Sequence, residues 1–309
     1  MKRFAAIAAI VLGLATGAQA QQQPTKITLG FTAVIDYLGA FVAKEEGFFE
    51  KRGLDVTIQQ MPNGNSIPPG LLSGSLHIGA ITAPTLIQSK AATFPIKIVA
   101  GGTVVTKANP NGSIVVRTGV NVVQPKDFEG KRVGVGAVGS YFNVLFRQWL
   151  INNGVDPAKV TYVEIQFGQM LDVMRNGQLD AATVGQPFLS RIVTGAIGTE
   201  FAAYTGTFGD GLLSNIYTAT DPWIAQNSAA ARSFVAAIEE ANTFIVSNPD
   251  KARLHAAKYL KLPDDAMANL AFSNYATKVD PAQIKAWNDL MRGQKLIDAD
   301  IDAKSVLMQ

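Results

Sequence analysis

The spacing of apolar positions changes twice within the first sixty residues. Ile27–Phe31 (ITLGF) is a short apolar run flanked by polar residues and predicts a strand. Phe41–Gly53 (FVAKEEGFFEKRG) has helical apolar spacing and predicts an amphipathic helix stopped by glycine. Leu54–Gln60 (LDVTIQQ) alternates and predicts a second strand, which closes a βαβ unit. A turn at Pro62-Asn63-Gly64-Asn65 leads to a short helix opened by Pro68 and Pro69, where missing N–H groups cost little. His77–Ile81 predicts a strand, Pro84 to about Ala91 a helix, and Ile96–Gly101 and Ser113–Arg117 two further strands.

The pattern then restarts. Lys131–Val135 predicts a strand, Tyr141–Asn153 a helix ended by Gly154, and Val160–Ile165 a strand. Gly168–Asn176 predicts a helix, Ala181–Val184 a strand, and Pro187 opens another helix. Two α/β halves in series are therefore expected. A glycine ends a helix before a strand at Gly74-Ser75-Leu76 and again at Gly177-Gln178-Leu179. From about Pro222 the pattern is helical to the end, with candidate helices over Asn227–Ser247, Pro249–Leu260, Asp264–Ser273 and Pro281–Arg292. A helical tail after the second half implies that the chain crosses back to the first. The candidate crossings lie near Ser113 and Ser214.

The N-terminus changes the picture of where this chain works. Lys2 and Arg3 precede an apolar run, Phe4–Ala15, and Ala18-Gln19-Ala20 is a small-x-small cleavage site. The run is short of the roughly 20 residues a spanning helix needs, so residues 1–20 are read as a cleaved export signal. With no cysteine in the chain, disulfides, thiolate metal sites, a cysteine nucleophile and an N-terminal lipid anchor are all excluded. A periplasmic location without lipid anchor is expected. The net charge is +3, and two of those charges are Lys2 and Arg3. Neither nucleic acid nor an anionic membrane is an expected partner.

Gly134-Val135-Gly136-Ala137-Val138-Gly139 spells G-x-G-x-x-G between a strand and a helix, and Glu164 ends the next strand. That is the pattern of a dinucleotide site. Three features oppose an exported dinucleotide-dependent oxidoreductase. The signal lacks a twin arginine, the motif sits in the second strand–helix repeat, and His77 and His255 are the only histidines, placed as ordinary surface or edge residues. The favoured reading is a glycine-rich turn at a helix N-terminus, where free N–H groups favour an anion. Asp36 and Ser140 are read as helix N-caps, each with a possible second role toward a ligand. No G-x-S-x-G elbow is present.

Taken together, several segments resemble the periplasmic substrate-binding proteins of nitrate/sulfonate/taurine-type ABC importers, a group that includes binders of thiamine precursors. They are Phe41–Phe49 (FVAKEEGFF), Leu72–Ala80 (LSGSLHIGA), Pro95–Val99, Gly130–Gly134, Met174–Ala182 (MRNGQLDAA) and Gln186-Pro187-Phe188. The chain departs from the family pattern at His77, where an aspartate is usual, and at Gln186, where a glutamate is usual. A related eukaryotic branch makes a thiamine pyrimidine with a cysteine-rich motif and iron, which a cysteine-free exported chain does not fit.

The resemblance implies an α/β, two-lobed periplasmic-binding-protein fold with a ligand cleft between the lobes and a helical C-terminal tail packed on lobe 1. Lobe 1 is expected to comprise residues 21–113 plus 213–309, and lobe 2 residues 114–212. It implies capture of a small organic anion, a sulfonate or carboxylate, aromatic ones included, by a single chain and delivery to a permease and ATPase complex in the inner membrane. An exported sensor module is the alternative. Ligands of open α/β sheets bind beyond the carboxyl ends of the strands. Applied here, that rule selects Thr32, Asp36, Asn63, Asn65, Ser66, Thr82 and Ala83 from one half. From the other it selects Gly139, Ser140, Tyr141 and Gln186, with Asn215 at the return crossing. Most stand at helix N-termini, so an oxyanion could be held by N–H groups without Arg or Lys. No catalytic residue, metal or cofactor is assigned.

Overall fold

A computed structural model gives the arrangement of residues 23–261 and 270–308. The export signal read at residues 1–20 and the first six positions of the helix expected over Asp264–Ser273 lie outside the described residues.

Strand β1 (Thr25–Phe31), helix α1 (Leu38–Glu45) and strand β2 (Leu54–Gln60) form the expected opening unit, with β1 and β2 parallel. The helix is shorter than its apolar pattern. Gly47 takes a left-handed conformation (φ 71°), and the Phe48 N–H returns to the Ala43 carbonyl at 2.9 Å, which closes the last turn. Phe48 and Phe49 still pack inward, Phe49 stacking on Phe234 at 5.3 Å, so helical spacing persists past the helix end. Helix α2 (Ile67–Leu72), strand β3 (Ile78–Thr82), helix α3 (Ala83–Ala91) and strand β4 (Ile96–Val105) complete this half.

The second half contains β5 (Ser113–Arg117), β6 (Arg132–Val135), α4 (Tyr141–Asn152), β7 (Thr161–Glu164) and α5 (Phe167–Arg175). It ends with β8 (Ala181–Val184), α6 (Phe188–Thr194) and β9 (Gly198–Ala202). The chain returns as β10 (Leu212–Thr220), followed by α7 (Asp221–Gln226), α8 (Ser228–Ser247), α9 (Pro249–Leu260), β11 (Asn274–Tyr275) and α10 (Pro281–Gly293).

The strands make two sheets. The first has the order β11-β4-β10-β3-β1-β2, the second β7-β6-β8-β5-β9. Each sheet contains one strand delivered from the other half: β10 is antiparallel to β3 and β4, and β5 is antiparallel to β8 and β9. The two crossing segments, residues 106–112 and 203–211, are tied together. The Lys107 N–H donates to Asp210 (2.6 Å), the Gly112 N–H to Thr205 Oγ1 (3.0 Å), and the Gly211 N–H to the Val105 carbonyl (2.8 Å).

The C-terminal part is not purely helical. Leu270–Ser273 is irregular, Asn274–Tyr275 pairs with β4, and the Val306 carbonyl accepts from the Ile98 N–H at 2.8 Å. Helices α8 and α9 pack on α1, with Tyr259 stacked on Phe41 at 4.6 Å. The described residues form three hydrophobic clusters. One lies under α1, α8 and α9, and one lies within the second sheet. The third runs continuously from Ile67 and Leu86 through Phe142 and Phe146 to Trp287, so it joins both halves.

Candidate functional site

A cavity of about 260 Å³ lies between the two sheets, at the carboxyl ends of β1, β2, β3, β6 and β7. The sequence sets this position, because a parallel strand must turn before its following helix, and the turns of both halves open toward each other.

From the first half come Thr32 and Asp36 after β1, Asn63 and Gly64 after β2, and Thr82 after β3. Asn63 Oδ1 accepts from the Ser66 N–H (3.0 Å), and Thr82 Oγ1 accepts from the Thr85 N–H (3.4 Å), so both side chains cap helical turns. From the second half come Gly136, Ala137, Ser140 and Tyr141 at the start of α4, and Gln166, Phe167 and Gly168 at the start of α5. Helix N-termini from both halves thus face one space, where N–H groups and helix dipoles favour negative charge.

Asp36 sits at the base of a polar network and is 6% exposed. Its Oδ1 accepts from Thr103 Oγ1 (3.1 Å), Asn111 Nδ2 (3.3 Å) and Ser273 Oγ (3.1 Å). Burial pushes its carboxyl above the ordinary range, and the three hydrogen bonds only partly oppose this. Tyr141 donates to Asn111 Oδ1 (2.9 Å), and Tyr37 donates to Asn215 Oδ1 (2.7 Å). Burial, reinforced by the neighbouring Asp36, raises both phenols well above their usual value, so both stay neutral donors.

The remaining walls are apolar or basic. Met61, Phe142, Phe167 and Phe188 supply the apolar face, with Phe167 stacked on Phe188 at 5.6 Å. Arg191 from α6 and Lys261 at the end of α9 bring positive charge. Arg191 makes no ion pair with the described residues.

Seven of the twelve sequence-selected residues line this cavity: Thr32, Asp36, Asn63, Thr82, Ser140, Tyr141 and Asn215. Five do not. Ala83 is fully buried at the first position of α3. Ser66 turns back, its Oγ donating to the Asn63 carbonyl (2.7 Å). Asn65 reaches outward along the rim, its Nδ2 donating to the Val138 carbonyl (3.3 Å) and toward Glu164 Oε1 (3.5 Å). Gly139 faces α3, where an added Cβ would lie 1.9 Å from Gln88 Nε2. Gln186 is held by Ser190, whose Oγ donates to its Oε1 (2.8 Å), and lines a separate cavity of about 80 Å³ with Asn111 and Ser273.

The cap readings also change. Asp36 lies inside a 3₁₀ turn and makes no capping bond. Ser140 has cap geometry, but its hydroxyl donates to the Ala137 carbonyl (2.9 Å). Arg191 and Lys261, which the strand-end rule did not select, also line the cavity. Gln166 and Phe167 were missed, although they follow a strand as the other site residues do.

The glycine-rich turn is occupied by its own neighbours. The Val138 N–H donates to Glu164 Oε1 (2.6 Å), and the Gly139 N–H donates to Asn143 Oδ1 (2.9 Å). Those are the groups a pyrophosphate and a ribose would need, so the turn does not fit a dinucleotide. Neither histidine faces the cavity: His77 Nδ1 accepts from the Thr28 N–H (2.9 Å), and His255 pairs with Glu46 (2.6 Å).

The family model described as NMT1/THI5 like matches residues 34–252, more than half of the chain. A binding protein of Brucella abortus (strain 2308) is 28% identical over 268 residues, covering 85% of this chain and 80% of that one. The nitrate/nitrite binding protein NrtA of Nostoc sp. (strain PCC 7120) is 25% identical over 237 residues, covering 71% of this chain and 53% of that one. Among solved structures, the alkanesulfonate-binding protein SsuA from Xanthomonas axonopodis pv. citri, bound to MOPS, superposes with a TM-score of 0.78 at 17% identity. That match covers 93% of this chain and 99% of the other, and it identifies the fold as the two-lobed periplasmic-binding-protein architecture. No helix among the described residues is long and apolar enough to cross a membrane.

Proposed function

Because the chain belongs to the NMT1/THI5-like family, we propose that it is the solute-binding component of an ABC importer, capturing a small organic anion in the periplasm and passing it to a membrane permease. One observation carries the reading: helix N-termini from both sheets and the half-buried Arg191 converge on one cavity with aromatic walls. N–H groups at helix starts and a guanidinium recognise an oxyanion, a carboxylate or sulfonate, and the rings of Phe142, Phe167 and Phe188 accept an apolar or aromatic body. The relatives named for nitrate and alkanesulfonate binding fit the same choice of charge.

The chemistry is capture and not turnover. Taking residues 21–113 with 213–309 as one lobe and 114–212 as the other, the ligand contacts both at once. It therefore favours the closed arrangement by the contacts that only closure completes.

A thermal-shift screen tests the proposal, using arenesulfonates, benzoates, aliphatic sulfonates, nitrate and uncharged pyrimidines. A binding anion raises the melting temperature with concentration as RT ln(1 + [L]/Kd), and Arg191→Gln abolishes most of that rise. Stabilisation by the uncharged pyrimidines alone would reject the anion assignment.

A further inference from the structure

Arg191 and the helix starts favour negative charge in the cavity, and a charged Asp36 in the same lining opposes it. Asp36 is 6% exposed. All three of its side-chain hydrogen bonds arrive at Oδ1, from Thr103, Asn111 and Ser273. Among the described residues no other side chain bonds to Oδ2. Asn215 Nδ2 donates to Thr103 Oγ1 (3.2 Å) and Tyr141 donates to Asn111 Oδ1 (2.9 Å), so two of the three donors are themselves held in place. Every donor is neutral, and no Lys or Arg pairs with Asp36 among the described residues. The titratable groups around it are the phenols of Tyr37 in its own turn, Tyr141 of α4, Tyr217 of β10 and Tyr275 of β11. Burial pushes each of them above its usual range, and Asp36 adds to this. The cationic groups of the cavity lining are Arg191 and Lys261. This one-sided bonding is that of a carboxylic acid: Oδ1 is saturated with donors as a carbonyl oxygen is, and Oδ2 is the place for a proton.

An anion that enters beside a buried carboxylate meets a like charge out of water, and a proton on the carboxyl removes that repulsion. We propose that Asp36 enters the complex as a neutral carboxylic acid and donates a hydrogen bond through Oδ2 to the bound oxyanion, so that each anion is captured together with one proton from the solvent. This rests on the anion reading and deepens it. The ligand stays an anion, the proton stays on Asp36, and the same side chain passes from repelling the ligand to recognising it. The linkage has a definite sign. Burial already raises the free carboxyl above the ordinary range, and a bound anion raises it further. Affinity is therefore full below the free-state pKa. It falls as pH rises through that value, by up to about tenfold per pH unit, and levels off above the bound-state pKa.

The test uses benzoate, benzenesulfonate, methanesulfonate and nitrate as probes. Titration calorimetry on the full chain without its first 20 residues, between about pH 5.5 and 8.5 and in two buffers of different ionisation enthalpy at each pH, gives the affinity and the protons taken up. At least one probe binds with uptake approaching one proton, and its affinity falls about tenfold or more across that range. Asp36→Asn keeps an acceptor for the three donors and puts an N–H where Oδ2–H stood. It binds that probe as tightly as the wild type does at the acid end, more tightly than the wild type at the alkaline end, and without the uptake. The infrared difference spectrum of the wild-type complex gains a protonated-carboxyl band that the variant lacks, recorded with a carboxyl-labelled probe where benzoate is used.

A probe that binds with flat affinity and no proton uptake overturns this inference and leaves the anion reading standing. So does an uptake that survives Asp36→Asn. Binding of none of the probes, with capture of an uncharged pyrimidine instead, overturns both. If Asp36→Asn does not fold, the infrared band of the wild-type complex decides the matter, its presence for the inference and its absence against it.

Discussion

Two glycines three positions apart do different work, and the difference is one of backbone angle and of what a methyl group would meet. Gly136 lines the cavity, and its backbone is not in the left-handed region. A Cβ there would sit 2.5 Å from Phe167 Cζ, pushing a ring that forms the cavity wall and stacks on Phe188. Gly139 has φ 76°, and its Cβ would meet the end of a flexible glutamine on α3. Gln88 can move aside, but the left-handed backbone costs an L-residue about 1–2 kcal/mol wherever the neighbours go. Gly136→Ala is therefore expected to weaken ligand binding about tenfold, within the usual cost of overpacking, with a small change in melting temperature. Gly139→Ala is expected to lower the melting temperature by about 2–8 °C, given about 2–4 °C per kcal/mol for a chain near this size, and to change affinity little. Calorimetry and thermal unfolding on both variants separate the two roles. The reverse pattern would return Gly139 to the ligand and take Gly136 out of it.

At the scale of elements, β10 holds the first sheet together. It lies between β3 and β4, and α10 is anchored to it by the Trp287 Nε1–H, which donates to the Leu213 carbonyl at 2.6 Å. Trp287 is fully buried and 5.6 Å from the Tyr141 ring, so one side chain links the returning strand, the last helix and the site helix α4. Trp287→Phe keeps most of the apolar contact but strands a buried carbonyl, at a cost of about 1–3 kcal/mol. Trp287→Ala adds a cavity, for about 3–5 kcal/mol in total. Urea unfolding midpoints give the order wild type, Phe, Ala, and equal midpoints for Phe and wild type would show that the Leu213 bond contributes nothing. The same strand marks where the sequence stops being readable. The parallel strands β1, β2 and β8 are short apolar or alternating runs, and their helices carry prolines or glycines at their ends, so local pattern suffices. Leu212–Thr220 carries Ser214, Asn215 and Thr218 in its buried run, each satisfied by residues more than a hundred positions away such as Thr103 and Gly79. Its pairing with β4 also shifts register three times. Neither property leaves a period of two. The cavity shows the same limit. Strand ends selected Thr32, Asp36 and Asn63, which line the cavity, but Arg191 enters from the last turn of α6, Gly139 packs against Gln88 and Gln186 is held by Ser190, contacts no local spacing encodes.

For the whole molecule, the proposed closure depends on what joins the two halves. Behind the cavity, the two halves are fastened by the crossing segments and by a hydrophobic cluster common to both sheets. Gln294 adds to this, its Nε2 donating to the Val144 carbonyl at 3.0 Å on α4. In a cleft that closes as proposed, such a shared core would make the rear a fixed hinge, because close-packed interiors resist continuous deformation. Motion would then concentrate at the rim, where Asn65 of the first half reaches the Val138 carbonyl and Glu164 of the second. Glu164 also holds the Val138 N–H at 2.6 Å, which fixes the turn that Asn65 grips. Asn65 itself is outside the cavity, so its removal leaves the ligand's own contacts intact. Asn65→Ala is expected to weaken affinity about two- to tenfold, the value of one net hydrogen bond of about 0.5–1.5 kcal/mol. If closure follows ligand entry, the loss is expected on the dissociation rate, with the association rate unchanged. Glu164→Gln retains an acceptor for the Val138 N–H with less charge and gives a smaller effect in the same direction. Stopped-flow measurements on the wild type and both variants, with small-angle scattering of the loaded proteins, test the latch. A slower association rate at constant dissociation rate would place Asn65 on the entry path and remove it from the closed state.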